Sequence, residues 1–188
     1  MLNNIASMLG VGGGVATDYE SIQTYTLGSS TANVTFSSIP TTYSHLQLRL
    51  IARSDRASAV DGITLQVGNG SADTAANYSN HQLLGDGANP YAYGYANESK
   101  MMQGFQITGA SATSGIFAAV VIDILDYANT NKYKTSRGLG GNDRNGAGEI
   151  DFNSGSWRST SAINTIKLYS TNGANLVQYT SIALYGIK

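Results

Sequence analysis

His45-Leu-Gln-Leu-Arg-Leu-Ile-Ala-Arg53 reveals the fold most directly, because apolar and polar residues alternate along it. A period of two is the pattern of a β-strand that buries one face and leaves the other outside the core. The alternation therefore predicts a strand with two chemically different faces. The residues predicted to face the core are Leu46, Leu48, Leu50 and Ala52, and those predicted to face away are His45, Gln47, Arg49 and Arg53.

Two further segments repeat or extend this pattern. Gly62–Gly68 alternates in the same way, which turns Ile63, Leu65 and Val67 toward the core. Residues 116–125 are apolar on both faces, so we interpret them as a central strand covered by the core on one side and by a partner chain or a loop on the other. Weaker strand patterns cover residues 20–27, 33–37, 79–84, 102–107, 133–139, 148–153, 162–169 and 177–187.

Turn residues separate these segments at short intervals. Asp61-Gly62, Gly68-Asn-Gly70 and Asn172-Gly173 are examples, and no stretch after residue 18 sustains a helical period. Short strands at regular spacing are typical of a sandwich or a barrel. The sequence therefore predicts an all-β fold: a single antiparallel jelly-roll-like β-sandwich over residues 19–188, preceded by a flexible N-terminal arm.

That arm, residues 1–18, differs from the rest of the chain because residues 1–17 carry no charge. Its apolar residues approximate one face of a short helix, and Gly12-Gly13-Gly14 would serve as a hinge. We predict that the arm anchors the protein; a frayed terminus is the alternative. The predicted anchoring residues are Leu2, Ile5, Met8, Leu9 and Val11.

Charge is scarce and balanced along the chain. Charged residues make up 12% of it, against roughly 25% in an ordinary soluble domain. Lys plus Arg number 11 and Asp plus Glu 12, so the net charge is −1. This balance gives no electrostatic footprint for nucleic acid or an anionic membrane, and it suits a surface that is covered in an assembly. The lack of Cys excludes disulfides and thiolate metal sites.

Targeting signals are also missing from the sequence as given. The longest apolar run, residues 115–122, is too short to span a bilayer. Residues 1–10 lack the basic residues of a signal peptide. We therefore expect synthesis in the cytoplasm of the cell that makes the protein.

Candidates for catalysis are few. His45 and His81 lie near no nucleophile motif, and no G-x-S-x-G is present. Two acidic pairs offer the two carboxylates that a glycosidase needs, although acidic residues at strand ends are usually solvated or paired with a base. The pairs are Asp123 with Asp126 and Glu149 with Asp151, and the nearby bases are Lys132, Lys134 and Arg137. We favour the structural interpretation and predict no catalytic residue.

Residues 142–149, Asn-Asp-Arg-Asn-Gly-Ala-Gly-Glu, are rich in oxygen ligands and glycine, as a calcium loop is. They do not match the EF-hand pattern, which requires a Glu at the twelfth position. A hairpin turn is the favoured interpretation. No His, Asp or Glu cluster has the spacing of a zinc or iron site, so we predict neither a metal nor another cofactor.

Tyr91, Tyr93 and Tyr95 follow one another at a strict two-residue step. In an extended chain this spacing places three phenols on one face. Tyrosine combines a large rigid contact area with a hydrogen-bonding hydroxyl, which both protein interfaces and sugar platforms use. We predict a loop or edge strand at a protein–protein contact, with core packing as a near alternative and sugar binding as a weaker one.

Several segments resemble virion structural proteins of marine and cyanobacterial tailed phages. These segments are residues 19–22, 37–49, 51–54, 122–135 and 179–187, and the resemblance extends over nearly the whole chain. Such proteins are capsid decoration or cement proteins, head fibres or tail-fibre components. The resemblance implies a non-enzymatic protein of the virion surface, synthesised in the host cytoplasm, whose partners are phage capsid or tail proteins and further copies of itself, a trimer being favoured.

Two rival functions follow from the same residues. One is a tail-fibre or baseplate appendage whose sandwich binds host glycan, with Tyr91, Tyr93, Tyr95 and Trp157 as the stacking residues. The other is a glycan-cleaving enzyme that uses one of the acidic pairs. The capsid decoration or head-fibre function is preferred, with the arm docked on the shell and the sandwich projecting from it.

Overall fold

The computed structural model describes residues 18–188, apart from the side chains of residues 102 and 103. All regular secondary structure in this range consists of β-strands, as the alternation predicts. Within the same residues there is no helix long and apolar enough to cross a membrane. The predicted anchoring residues Leu2, Ile5, Met8, Leu9 and Val11 lie outside the described residues. The strands are β1 (Tyr19–Thr26), β2 (Asn33–Phe36), β3 (His45–Ala52), β4 (Val60–Gly68), β5 (Tyr78–Gly85), β6 (Pro90–Glu98), β7 (Met102–Thr108), β8 (Ala118–Leu125), β9 (Lys134–Asp143), β10 (Gly148–Trp157), β11 (Thr165–Ser170) and β12 (Ser181–Ile187).

The strands form two antiparallel sheets. The larger has eight strands in the order β1-β12-β3-β8-β9-β10-β5-β6, and the smaller has four in the order β2-β11-β4-β7. β1 and β12 pair along their lengths, and the amide of Lys188 donates to the carbonyl oxygen of Asp18 at 3.1 Å. The start of the described chain and its C-terminal residue therefore meet at one edge of the larger sheet.

The two inward faces form one hydrophobic core. Leu46, Leu48, Leu50 and Ala52 of β3 are at most 2% exposed, which confirms the predicted core face of this strand. From the smaller sheet Ile63, Leu65 and Val67 of β4 are likewise buried and belong to the same cluster. Alternation within each strand thus predicted which side chains interdigitate between the sheets.

Three polar side chains that alternation assigned to the outside are in fact covered. Gln47 is 8% exposed and its Nε2 donates to Oδ1 of Asp123 at 2.8 Å; Gln66 is 6% exposed and donates to the carbonyl oxygen of Ser99 at 2.8 Å. Arg53 is 8% exposed. Its guanidinium donates to the carbonyl oxygens of Ala110, Ala112, Thr113 and Ile116. Alternation gives the face of a residue, but neighbouring groups decide whether that face is covered.

Glycines on β9 allow the two sheets to approach each other. A Cβ at Gly138 would lie 2.5 Å from Cζ of Phe105 and 2.8 Å from the carbonyl oxygen of Val121, and one at Gly140 would lie 2.9 Å from Cδ1 of Phe105. The ring of Phe105, on β7, is fully buried against this strand. At Gly141, on the other face of β9, the nearest atom to an added Cβ is the carbonyl oxygen of Glu149 at 3.5 Å.

We expect Gly138→Ala to destabilise the domain by about 1–3 kcal/mol, because Phe105 has no room to retreat from the added methyl group. Gly141→Ala is the matched control in the same strand, and we expect it to change the free energy of unfolding by less than about 0.5 kcal/mol. Urea unfolding followed by tryptophan fluorescence compares the two. Equal effects of both substitutions would show that close approach of Phe105 does not require glycine at residue 138.

Candidate functional site: an uncovered apolar sheet face

The outward face of the larger sheet carries large apolar side chains that no part of residues 18–188 covers. On β8 the inward residues are buried, whereas Val121 on the outward side is 41% exposed. The loop that we considered as a cover for this strand is therefore ruled out within the described residues, and a partner chain remains a proposal. The other exposed apolar side chains of this face are Ile51, Leu83, Leu139, Ile150 and Phe152, which are 49–67% exposed.

The strand register arranges these residues in rows that run across the strands. The first row is Ile51, Ala119, Gly141, Ile150 and Gly85. The second row is Arg49, Val121, Leu139, Phe152 and Leu83. We call the two rows together the apolar face. Large side chains fill most of the second row, whereas the first has small residues at its centre.

A groove follows from this difference in size. Ala119 and Gly141 have little or no side chain, so they form a floor between the side chains of Ile51 and Ile150. The groove is open to solvent and has a volume of about 670 Å³. It is therefore a depression into which a side chain of another molecule could insert, while the second row beside it forms a ridge.

Charged groups in and beside the apolar face have partners within the chain. Arg137 Nε lies 3.3 Å from Oδ2 of Asp123, whose Oδ1 accepts a hydrogen bond from Gln47. Arg49 donates from Nε to Oε1 of Gln47 at 2.8 Å, and its guanidinium lies 5.0 Å from the ring centroid of Tyr185. Charges that are already paired cost less to cover than isolated ones.

The three predicted tyrosines lie on β6, an edge strand of the larger sheet. Tyr91, Tyr93 and Tyr95 are 38–43% exposed and share one face, as the two-residue spacing predicts. The rings of Tyr93 and Tyr95 are stacked, with centroids 6.4 Å apart. Their partners on β5 are inward-facing residues, so this tyrosine stripe is on the opposite side of the sheet from the apolar face.

Trp157 is not a stacking residue for a ligand, so that prediction is wrong. The side chain is 3% exposed, stacks on Tyr78 at 6.4 Å and donates from Nε1 to Oδ2 of Asp73 at 2.8 Å. The predicted strand over residues 148–153 actually continues to Trp157 as β10. Strand alternation then places Trp157 on the same inward side as Asp151 and Asn153.

The first acidic pair, Asp123 within β8 and Asp126 just after it, forms ion pairs with side chains of neighbouring segments. Asp126 contacts Lys132 and lies 3.5 Å from Nδ1 of His45, while Asp123 is bound by Arg137 and Gln47. The hydrogen bond from Lys132 lowers the pKa of Asp126 below its usual value. A general acid needs the opposite shift, so the geometry favours the structural interpretation of this pair.

The second acidic pair contains a buried carboxyl group. Asp151 is fully buried, and burial raises its pKa to about 6. Its oxygens accept hydrogen bonds from Nε2 of Gln82 at 2.6 Å and from the amide of Gln106 at 2.9 Å. A carboxyl group enclosed in this way has no contact with solvent through which a substrate could reach it.

Lys134, which we considered as a base for these acids, is also fully buried. Its Nζ donates to the carbonyl oxygens of Lys132 at 2.9 Å and Thr160 at 3.1 Å, and to that of Asn129. Burial lowers the pKa of this amine. Lys134 therefore holds two loops together instead of pairing with a carboxylate.

Residues 142–149 form the β9–β10 hairpin, which agrees with the favoured interpretation. Asn145 and Gly146 both have positive φ, 63° and 98°, and the amide of Arg144 donates to the carbonyl oxygen of Ala147 at 2.7 Å. This is the two-residue turn that matches the twist of a hairpin. Arg144 lies 3.7 Å from the Glu149 carboxylate, and within residues 18–188 no three His, Asp or Glu side chains converge as metal ligands.

Sequence reasoning missed the outward residues of β9 and β10. Ile150 and Phe152 alternate with polar residues, so alternation alone turns them toward the core, and Leu139 stands between two glycines, which give no alternation to read. No known protein family, curated protein or solved structure matches this chain. The apolar face, described from its own geometry, is the feature of the molecule that most needs a functional explanation.

Proposed function

We propose that the protein is a non-enzymatic structural protein of a phage virion, most simply a capsid decoration, cement or head-fibre protein. In this proposal residues 1–18 anchor it, and the sandwich of residues 19–188 projects outward and associates with further copies. The observation that carries the proposal is the uncovered apolar face. Contiguous exposed apolar patches of several hundred Å² mark surfaces that bind other proteins.

Composition and resemblance support the same function. A content of 12% charged residues leaves few groups that would oppose burial of the surface in an assembly. The segments that resemble virion proteins of tailed phages include residues 37–49 and 122–135. They overlap the first part of β3 and the last part of β8, two of the strands that carry the apolar face.

We also propose that the sandwich is a jelly roll with two inserted hairpins. The antiparallel pairs β1–β12, β2–β11, β3–β8 and β4–β7 are nested, as they are when one long hairpin of eight strands is rolled up. The hairpins β5–β6 and β9–β10 lie outside this nesting and extend the larger sheet. Jelly rolls are common in capsid domains, which favours the proposed function by analogy.

The arm supplies affinity in this proposal. Burial of the Leu2, Ile5, Met8 and Leu9 side chains on a shell contributes roughly 6–12 kcal/mol before the cost of ordering the segment. Association of several copies adds avidity without any new contact.

We expect deletion of residues 1–17 to abolish binding to phage shells that lack this protein, while the remaining chain keeps its cooperative thermal unfolding. A second variant retains the length of the arm but replaces Leu2, Ile5 and Leu9 with Ser, and it should bind as poorly as the deletion. Cosedimentation with purified shells measures binding.

Unchanged binding by both variants would show that the sandwich itself contacts the shell. If the full-length chain ignores shells, the alternative of a glycan-binding tail or baseplate appendage is preferred, and retention on host polysaccharide is the measurement for it. The exposed tyrosine stripe is the observation that favours this alternative, because stacked phenols offer flat apolar surface with hydroxyls at its rim.

A further inference from the structure

We infer that the apolar face is the contact between two copies of this chain, packed face to face about a two-fold axis that runs across the strands between the first and second rows. The inference rests on the self-association included in the proposed function. It specifies the surface, the partner and the symmetry of the contact, and it replaces the trimer that the resemblance implies with a dimer. Such a contact is isologous, because each copy uses the same patch.

Side-chain sizes in the two rows are complementary under this rotation. The two-fold axis places the first row of one copy over the second row of the other, strand over equivalent strand. Gly141 then faces Leu139 of the second copy, and Ala119 faces its Val121. On β5, Gly85 faces Leu83 in the same manner. The ridge of each copy therefore enters the groove of the other, while Ile150 meets Phe152 and Ile51 meets Arg49 as pairs of large side chains.

Charges on β9 are complementary under the same rotation. Arg137, Leu139, Gly141 and Asp143 occupy successive outward positions along this strand. The axis lies between the middle two, so it brings Asp143 of one copy over Arg137 of the other. One strand thus carries a pattern that is complementary to itself in both size and charge, a property that a face for an unrelated partner would not need.

The apolar face is the centre of a contact that extends over the whole outward side of the larger sheet, and the dimensions of that side suit a stable dimer. Eight strands at a spacing of about 4.8 Å span about 38 Å, and three two-residue steps along each strand span about 20 Å. The product, about 770 Å² per copy, is close to the roughly 800 Å² per partner of a standard protein interface. Two antiparallel sheets that pack in this way lie about 10 Å apart with side chains interdigitated.

Other occupants fit the face less well. Arg49 and Arg137 are balanced by Asp123 and Asp143 on the same side of the sheet, so the face has no excess charge for a polyanion or an anionic membrane. The groove is open along its length and does not enclose a small molecule as a ligand pocket does.

The first experiment measures the mass of the full-length chain by light scattering over a range of concentrations. We expect a dimer of the 19.7 kDa chain. Leu139→Arg should weaken it at least about 100-fold, because the two-fold axis repeats the substitution in both halves of the contact. Thr35→Arg, on the exposed side of the smaller sheet, is the control and should leave the dimer intact.

The second experiment exchanges the ridge and the groove. Gly141→Leu fills the groove and should break the dimer, while the monomer has room for the added side chain. Adding Leu139→Ala to the same chain moves the large residue by one row and should restore the dimer, because residues 139 and 141 face each other across the axis. Restoration is the result that a two-fold arrangement specifically requires.

Four outcomes would overturn the inference: a monomeric full-length chain, a dimer that survives Leu139→Arg, a trimer, or failure of the double variant to recover. If Leu139→Arg disrupts the dimer but the double variant does not recover it, the face would be assigned to another occupant, such as residues 1–17 of a neighbouring copy. Oligomeric mass and shell binding are separate measurements. A dimer that does not bind shells therefore contradicts the proposed capsid role alone, whereas a shell-binding monomer contradicts only the inference.

Discussion

Leu48→Asp should yield no folded domain. Leu48 is fully buried at the middle of β3, where the register sets it between Leu184 of β12 and Ile122 of β8. Leu184 and Ile122 are themselves members of the buried hydrophobic core. An unpaired carboxylate in such a place costs several kcal/mol even if it becomes protonated, and a domain of this size has only about 5–15 kcal/mol in total.

Circular dichroism and thermal unfolding of the purified variant measure the effect. Leu65→Asp, in β4 of the other sheet, should have the same result because Leu65 is 1% exposed. The matched control is Thr35→Asp, which introduces the same charge at an exposed strand position opposite Lys167. Cooperative unfolding of either core variant near the wild-type temperature would be incompatible with the core described above.

Gln47→Asp and Gln66→Asp, by contrast, are not silent controls. Alternation alone suggests that they should be, because both residues face away from the core. Gln47 hydrogen-bonds Asp123, however, so a carboxylate at residue 47 would repel the one at residue 123. Gln66 would lose its bond to the carbonyl oxygen of Ser99.

Asp151→Asn should remove a pH dependence from the stability of the protein. Burial raises the pKa of Asp151 in the folded state to about 6 from a reference value of 3.8. The folded state therefore binds more protons than the unfolded state between these two values, and stability falls as the pH rises through this window. The difference of roughly two pKa units corresponds to about 3 kcal/mol lost between pH 4 and pH 7.

Chemical unfolding of wild type and Asp151→Asn at several pH values isolates this effect, since all other groups cancel in the difference. The free energy of unfolding of the variant, relative to wild type, should rise with pH from 4 to 7. Asp86→Asn is the control: hydrogen bonds from the amides of Asn89 and Ala88 lower the pKa of Asp86, so its contribution to stability changes mainly below about pH 4, and its difference from wild type should be nearly flat over the range in which Asp151→Asn changes. A flat difference for Asp151→Asn would mean that the carboxyl group is ionised as easily as in the unfolded chain.

The predictable part of the fold was the part where hydrophobic alternation and burial agree. The inward faces of β3 and β4 are such a part, because each turns aliphatic side chains toward the opposite sheet. Gln47 and Gln66 on the other faces of these strands are covered against the alternation. The strand at residues 116–125 was also predicted with apolar side chains on both faces, and β8 has this property. What covers its outer face depends on other molecules, which a single chain does not specify.

β10 shows why the remainder was not predictable. Its outward residues include Ile150 and Phe152, which are 67% and 54% exposed, whereas Asp151 and Asn153 between and beside them are fully buried. This pattern is inverted relative to an ordinary half-buried strand. The direction in which β10 faces is set by pairing with β5 and β9 over its whole length, a long-range constraint that outweighs the polarity of its own side chains.

The proximity of residues 18 and 188 at one sheet edge has a practical consequence for rearranging the gene. Since Lys188 bonds to Asp18 beside the β1–β12 pair, a short Gly/Ser linker could join residue 188 directly to residue 18 without disturbing any strand. New termini could then open at an exposed turn such as Asn145-Gly146. In a circular permutant of this kind the arm would no longer precede β1 and would instead stand before β10, the new first strand. Every strand pair described here would be retained.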